Sequence, residues 1–376
     1  VAPRRKRETP GAAGAALRHR GRGLAPDRSS HYAAGMSTYV RPIPMIGPAS
    51  ADAALRLAGG WCRFSHVEIL ARGADPRIVP VDEAPAESLA RLTSPRASFA
   101  GLSLDRPQLM GIVNVTPDSF SDGGRLADEA AAIAHARALA ADGADILDIG
   151  GESTRPGAEE IPAEVETARV EATIAALASD GTGPISIDTR KAGVARAALD
   201  AGAQIINDVS GFRFDPAMAG LAADRGAPVV LMHSQGDPQT MQDDPHYENP
   251  LLDVYDALEA AVAGAEAAGI PRDRILVDPG IGFGKRDPHN LAILGRLSLF
   301  HALGCGVLLG VSRKGFIGRI AGIPDAADRD AASAAVGLWA LTQGVQVLRV
   351  HDIVHHRQGI ALWDKMGATG FEEAGT

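Results

Sequence analysis

From Pro107 onward the chain repeats one unit eight times, and this repetition constrains the fold more than any other feature. Apolar runs suited to buried strands occur at 108–115, 145–150, 184–188, 203–208, 227–232, 274–278, 305–311 and 346–350. Ala-rich or periodic segments suited to helices follow them, at 128–141, 162–178, 190–201, 216–225, 250–268, 288–302, 328–343 and 353–363. Strands covered on both faces read as continuous apolar runs, and parallel neighbours need a helical crossover between them. Eight such units over about 260 residues predict a (β/α)8 TIM barrel. A doubly wound sheet also alternates, but it does not need eight units. It usually opens with a Gly-rich nucleotide turn after its first strand, and none follows the 108–115 run.

The residues before the repeat differ from it. Residues 1–35 carry eight Lys/Arg against Glu8 and Asp27. They have no good apolar helical face and are expected to be a disordered basic extension, with Met36 as the working start. Residues 36–105 are expected to form a small α+β appendage. Within it Asp52–Ala58 and Glu87–Leu92 read as short helices. Residues 61–70 alternate like a strand, and Arg77–Val81 is a candidate partner. The barrel is assigned to 106–366 and a flexible tail to 367–376.

Charge and composition narrow the function. The 376 residues carry a net charge of −9, which offers no sequence-independent grip on nucleic acid. No apolar run reaches the roughly 18 residues that a membrane-spanning helix needs. Cys62 and Cys305 lie far apart without metal spacing and read as buried, reduced thiols of a cytoplasmic protein.

In a barrel of this kind the chemistry sits at the C-terminal strand ends. The eight runs deliver Asn114, then Asp148–Gly157, Asp188-Thr189-Arg190, Asn207–Gly211, Met232-His233, Asp278–Lys285, Ser312-Arg313-Lys314 and Arg349–Asp352. One polar residue at a strand end is often structural. Polar groups from all eight ends imply a ligand or a fully satisfied network, because burying them unpaired costs too much. Asp188, Asn207 and Asp278 suit a flat heterocycle with N–H and C=O edges. Arg155, Lys314, Arg349, His351 and a cation held by an Asn suit a phosphate-bearing ligand. Mg2+ would take oxygen ligands, few of them from protein. Lys314 as a Schiff-base lysine is disfavoured by its neighbours Ser312 and Arg313. His233, beside Met232, is expected to pack rather than to act as a base.

In order and spacing, the stretches 114–124, 148–157, 187–190, 207–211, 278–285, 312–314 and 349–352 resemble the dihydropteroate synthase family. The resemblance spans about Gln108 to Trp363. It implies transfer of the 7,8-dihydropterin-6-ylmethyl group from its diphosphate to 4-aminobenzoate in folate biosynthesis, with sulfonamides mimicking the aminobenzoate. Carried over by position, Asn114 would hold Mg2+ at the diphosphate. Thr154, Asp188, Asn207, Asp278 and Lys314 would contact the pterin diphosphate, with Met232 and Phe283 lining the pterin cavity. Arg349 and His351 would hold the diphosphate. Loops bearing Asp118, Phe120 and Asp122, and Arg155 and Pro156, would close over the site and build the aminobenzoate pocket with Ser312 and Lys314. Lys314, Arg349, His351, Asp278 and Asp188 would carry catalysis, and a homodimer through the last helices is implied.

Two departures are small: Ser234 stands where the family often has a larger residue, and Gly315 where Ser is common. The resemblance implies nothing for 36–105. A methyltetrahydrofolate-binding barrel serving a corrinoid partner would share Asp188, Asn207 and Asp278. It would not need the 114–124 loop or the Arg349/His351 pair. A non-catalytic pterin binder would be free to lose Asn114, Lys314 or Arg349, and all three are present.

Overall fold

The computed structural model describes residues 38–45, 54–116, 125–154, 157–237 and 239–368. Its first part is a three-stranded antiparallel sheet in the order β1-β4-β5, made of β1 (Thr38–Pro42), β4 (His66–Ala71) and β5 (Arg77–Pro80). A short hairpin of β2 (Leu55–Arg56) and β3 (Arg63–Phe64) is tied to α1 (Ala86–Thr93) by the Ala58 amide, which donates to the Leu92 carbonyl at 2.7 Å. The 77–81 partner strand and the 87–92 helix are therefore where the alternation put them. The helix expected over 52–58 is not: residues 55–56 form β2, and Ala58 turns the chain at φ 52°. Only residues 54–58 of that segment are described.

All eight predicted runs form barrel strands. They are β6 (Gln108–Asn114), β7 (Ile146–Gly150), β8 (Ile185–Asp188), β9 (Ile205–Asp208), β10 (Val229–Met232), β11 (Ile275–Asp278), β12 (Gly306–Gly310) and β13 (Val347–Val350). Each pairs in parallel with its neighbours, and β13 closes on β6 with Val347 opposite Gln108. The helices are α2 (Arg125–Ala141), α3 (Ala163–Asp180), α4 (Ala192–Ala201), α5 (Met218–Arg225), α6 (Pro250–Ala267), α7 (Asp287–Leu294), α8 (Gly315–Ala321), α9 (Asp330–Thr342) and α10 (Ile353–Ala368). The single helix expected at 288–302 is broken at Gly295-Arg296, where α7 gives way to a 3-10 helix over Leu297–Leu303. The last helix runs two residues into the segment assigned to a tail.

Two apolar clusters result. The larger lies between strands and helices. The smaller takes Met110, Ile146, Ile205, Val230, Leu276, Leu308 and Val347 from seven strands and no helix residue, and it adds Phe99 and Leu104. These strand residues face the barrel interior. A Cβ on Gly306 would meet Leu276 Cδ2 at 2.5 Å and Leu104 Cδ1 at 2.9 Å, so Leu104 reaches inside. Phe99, 1% exposed, and Leu104 thus plug the end of the barrel away from the polar strand ends.

The N-terminal sheet is fastened to the barrel's outer helices. Glu68 accepts from Arg41 at 2.5 Å and Arg296 at 3.2 Å, and Arg72 reaches Asp253 and Asp256, both at 2.6 Å. Trp61 Nε1 donates to the Leu341 carbonyl at 2.8 Å, and its ring meets Trp363 edge-on. Arg96 donates to the Cys305 and His301 carbonyls, each at 2.9 Å.

Candidate active site

The C-terminal strand ends bring acids and bases into one buried group. Asp148, in the middle of β7, is fully buried. Its Oδ2 accepts from Arg349 Nε at 2.6 Å and Asn207 Nδ2 at 3.1 Å. Arg349, from β13, donates also to Asp188 Oδ2 at 2.6 Å, at the end of β8. One guanidinium thus bridges two carboxylates across the barrel. Burial works against the charge of Arg349, but Asp148 and Asp188 more than offset it. Burial pushes the Asp188 carboxyl up to about 7, against the pull of Arg349 and with a further push from Asp148. The Oδ1 atoms of Asp148 and Asp188 are buried and have no hydrogen-bond partner among the described residues.

Asp278, at the end of β11, accepts from the Gly280 amide at 2.7 Å. Burial raises its pKa, opposed by Lys314, the Gly280 amide, Lys285 and Arg349. Lys314 caps the start of α8 and donates to the Ile281 carbonyl, with its Nζ 4.7 Å from the Phe283 ring centroid. Burial pushes the Lys314 ammonium down to about 8; Asp278 resists this and Arg349 adds to it. Ser312 Oγ accepts from the His351 amide at 3.1 Å and lies 3.0 Å from His351 Nδ1, tying the ends of β12 and β13 together.

Asn114 ends β6 opposite Gly150, whose other partner is Asp188. A Cβ on Gly150 would lie 3.8 Å from Asn114 Oδ1 and 3.7 Å from Asp188 Oδ2, so both oxygens flank the same glycine. Thr154 is half-buried beyond β7, and Met232 is buried at the end of β10. Asp118, Phe120, Asp122, Arg155 and Pro156 lie outside the described residues.

Two supports carry no ligand signature in the sequence. The first is a quartet behind the β7 and β8 ends. Glu152 binds Arg190 at 3.0 Å and Lys191 at 2.8 Å, and Lys191 also reaches Glu166 at 2.7 Å. Glu152 accepts from the Ile161 amide and Lys191 donates to the Ile161 carbonyl, so the quartet joins both ends of the loop after β7. The second is Lys285, 3% exposed, whose Nζ lies 2.9 Å from His233 Nδ1 and donates to the Gly280, Phe283 and His233 carbonyls. His233 packs, as expected, and burial pushes its pKa down to about 2. The only trace of these supports in the sequence is a charged residue just past a strand end with no ligand role assigned to it.

Residues 110–351 match the family described as pterin binding enzymes. The chain belongs to that family. The dihydropteroate synthase of Neisseria meningitidis serogroup B is 45% identical over 71% of this chain and 95% of its own length. A probable bifunctional folylpolyglutamate synthase/dihydropteroate synthase of Haloferax volcanii is 48% identical over 66% of this chain, and the match spans 29% of that longer protein. The dihydropteroate synthase of Xanthomonas albilineans, solved with 4-aminobenzoic acid, superposes with a TM-score of 0.69. It is 46% identical and covers 74% of this chain and 100% of its own. The family match runs from Met110 to His351, so it takes in every strand end described above and none of the N-terminal sheet.

Proposed function

We propose that the chain is a dihydropteroate synthase. It transfers the 7,8-dihydropterin-6-ylmethyl group from its diphosphate to 4-aminobenzoate, giving 7,8-dihydropteroate and diphosphate. The observation that carries this reading is the convergence of Asp188, Asn207, Asp278, Lys314 and Arg349 on one barrel mouth in a pterin-binding family member.

The ring binds first to the acids. Asp188 Oδ1 and the Asp278 carboxylate accept from ring N–H groups, and Asn207, oriented by Asp148, serves as donor and acceptor. Phe283 and Met232 cover the ring faces. Asp148 keeps the Arg349 guanidinium at the mouth when Asp188 turns to the ring. The C–O bond at the pterin methylene then breaks, and its electron pair leaves with the diphosphate. Lys314, Arg349 and His351 face the departing anion. Asp188 and Asp278 stabilise positive charge on the ring and methylene. The aromatic amine, neutral at pH 7, attacks with its lone pair and afterwards loses a proton to water, so no strong base is needed. Thr154 meets the pterin diphosphate, and the loops carrying Asp118, Phe120 and Asp122, and Arg155 and Pro156, would complete the aminobenzoate pocket with Ser312 and Lys314 and exclude water.

Mg2+ fits this site as a hard cation with few protein ligands. Asn114 Oδ1 is a suitable oxygen at the strand end, and substrate phosphates would supply others. When bound, the ion neutralises charge on the diphosphate. A homodimer is supported by α9 and α10, which leave Trp339, Val354 and Leu362 exposed. Among the described residues no helix is long and apolar enough to cross a membrane. A cytoplasmic location and competition by sulfonamides complete the proposal.

The deciding experiment measures diphosphate release by purified protein given the dihydropterin diphosphate. Release should require both 4-aminobenzoate and Mg2+ and should yield dihydropteroate in equal amount. Binding of the pterin diphosphate with no release on adding 4-aminobenzoate would overturn the reading.

A further inference from the structure

Among the described residues, Lys285 is the most deeply buried cation near the mouth that the reaction scheme does not use. Three acceptors lie within 3.0 Å of its Nζ: His233 Nδ1 at 2.9 Å, the Gly280 carbonyl at 2.8 Å and the Phe283 carbonyl at 3.0 Å. The His233 carbonyl stands at 3.3 Å. An ammonium has three N–H donors, and the three closest acceptors match them in number. Two of those acceptors belong to the loop between β11 and α7, and the third belongs to the residue after β10. Lys285 therefore folds one loop back on itself and fastens it to its neighbour.

The two loops are pressed together closely enough to exclude side chains. A Cβ on Gly280, at φ +64°, would fall 1.9 Å from the His233 carbonyl oxygen. A Cβ on Gly284, at φ +60°, would fall 2.5 Å from the Gln235 carbonyl oxygen. Between these glycines stand Ile281, whose carbonyl accepts from Lys314, and Phe283, whose ring lies beneath Lys314 Nζ. The seat of Lys314 is thus built on the segment that Lys285 closes.

We propose that Lys285 is a positioning residue that sets Lys314 and Phe283 through the 279–284 loop. This rests on the synthase reading, in which Lys314 meets the pterin diphosphate. In that reading Lys285 meets no substrate and acts through the Gly280 and Phe283 carbonyls and the His233 side chain.

The test compares wild type with Lys285→Met, which keeps the aliphatic stem and removes the donors. With far-UV circular dichroism unchanged, kcat/KM for the dihydropterin diphosphate should fall by up to about 10²-fold, the scale of a misplaced catalytic group. A second readout does not need activity. Competitive amine labelling followed by mass spectrometry should show Lys314 labelled several-fold faster in the variant, with buried Lys191 unchanged. If Lys285→Met does not fold, Lys285→Gln, which keeps two N–H donors, takes its place in both measurements. Unchanged kcat/KM, unchanged Lys314 labelling, or faster labelling of Lys191 as well would overturn the inference. An inactive wild type whose Lys314 labelling still depends on Lys285 would overturn the synthase reading alone.

Discussion

Lys314 is set between opposing demands. In the proposed reaction it faces an anion, which requires its charge, and its burial resists that charge. Its pKa is therefore lowered to about 8, with burial as the main cause. If the ammonium is the working form, activity is present below that value and lost as pH rises through it. The alkaline limb of kcat/KM for the pterin diphosphate should have a midpoint near 8, well below the ordinary lysine range. Lys314→Ala should remove most turnover and leave the barrel folded. A profile that stays flat to about pH 9.5, or near-normal rates in the variant, would refute the assigned role. The placement of Asp188, Asp278 and Lys314 at the barrel mouth was legible because each is a charge at or just past the end of an apolar strand run. Asp148 and Lys285 were visible as residues but not as supports. What makes them supports is a bond to Arg349 from 201 residues away in the chain and a set of backbone carbonyls, neither of which leaves a pattern in one sequence.

At the level of elements, the eight strand runs were read to within two residues because continuous Val, Ile and Leu runs admit few other uses. The errors have local causes. The 297–303 segment is apolar enough to continue α7, but every one of its residues is buried and the chain tightens into a 3-10 helix there. The strand Thr38–Pro42 was missed because it is five residues long and ends in Pro, a weak signal that its pairing with β4 overrides. Helix α8 was missed because Gly315 and Gly318 depress helix propensity over only seven residues. The loop after β7 was recognised by its contents and not by its fastening. Lys191→Met would leave Glu152 and Glu166 buried without their shared partner. That change should cost about 3–5 kcal/mol of stability, as breaking a buried ion pair does. Urea unfolding would measure it, and a loss within about 0.5 kcal/mol, the range of neutral surface changes, would show that the quartet does not hold the loop.

At the scale of the whole molecule, the barrel is stopped at one end and reactive at the other. Phe99 and Leu104 close the apolar end, although they precede the repeat and lie outside the family match. Phe99→Ala should destabilise the protein by about 3–5 kcal/mol, seen as a lowered urea midpoint. Under conditions where the variant stays folded, KM for both substrates should be unchanged, because the plug lies at the far end from the polar mouth. A raised KM would mean that the plug reaches the site.

The fastening of the N-terminal sheet also bears on the order in which the molecule is made. Trp61 bonds to a carbonyl 280 residues further along the chain, and Tyr39 to a side chain 217 residues on. During synthesis the sheet emerges before the barrel and finds its helices last. Its unpaired edges and apolar face wait while roughly two hundred further residues are added, at about 5–20 residues per second. The last strand, Val347–Val350, must arrive before the barrel closes on Gln108–Asn114. The N-terminal sheet and the last barrel strand are therefore completed together, a long-range closure of the kind that folds slowly and is exposed to aggregation until it is done.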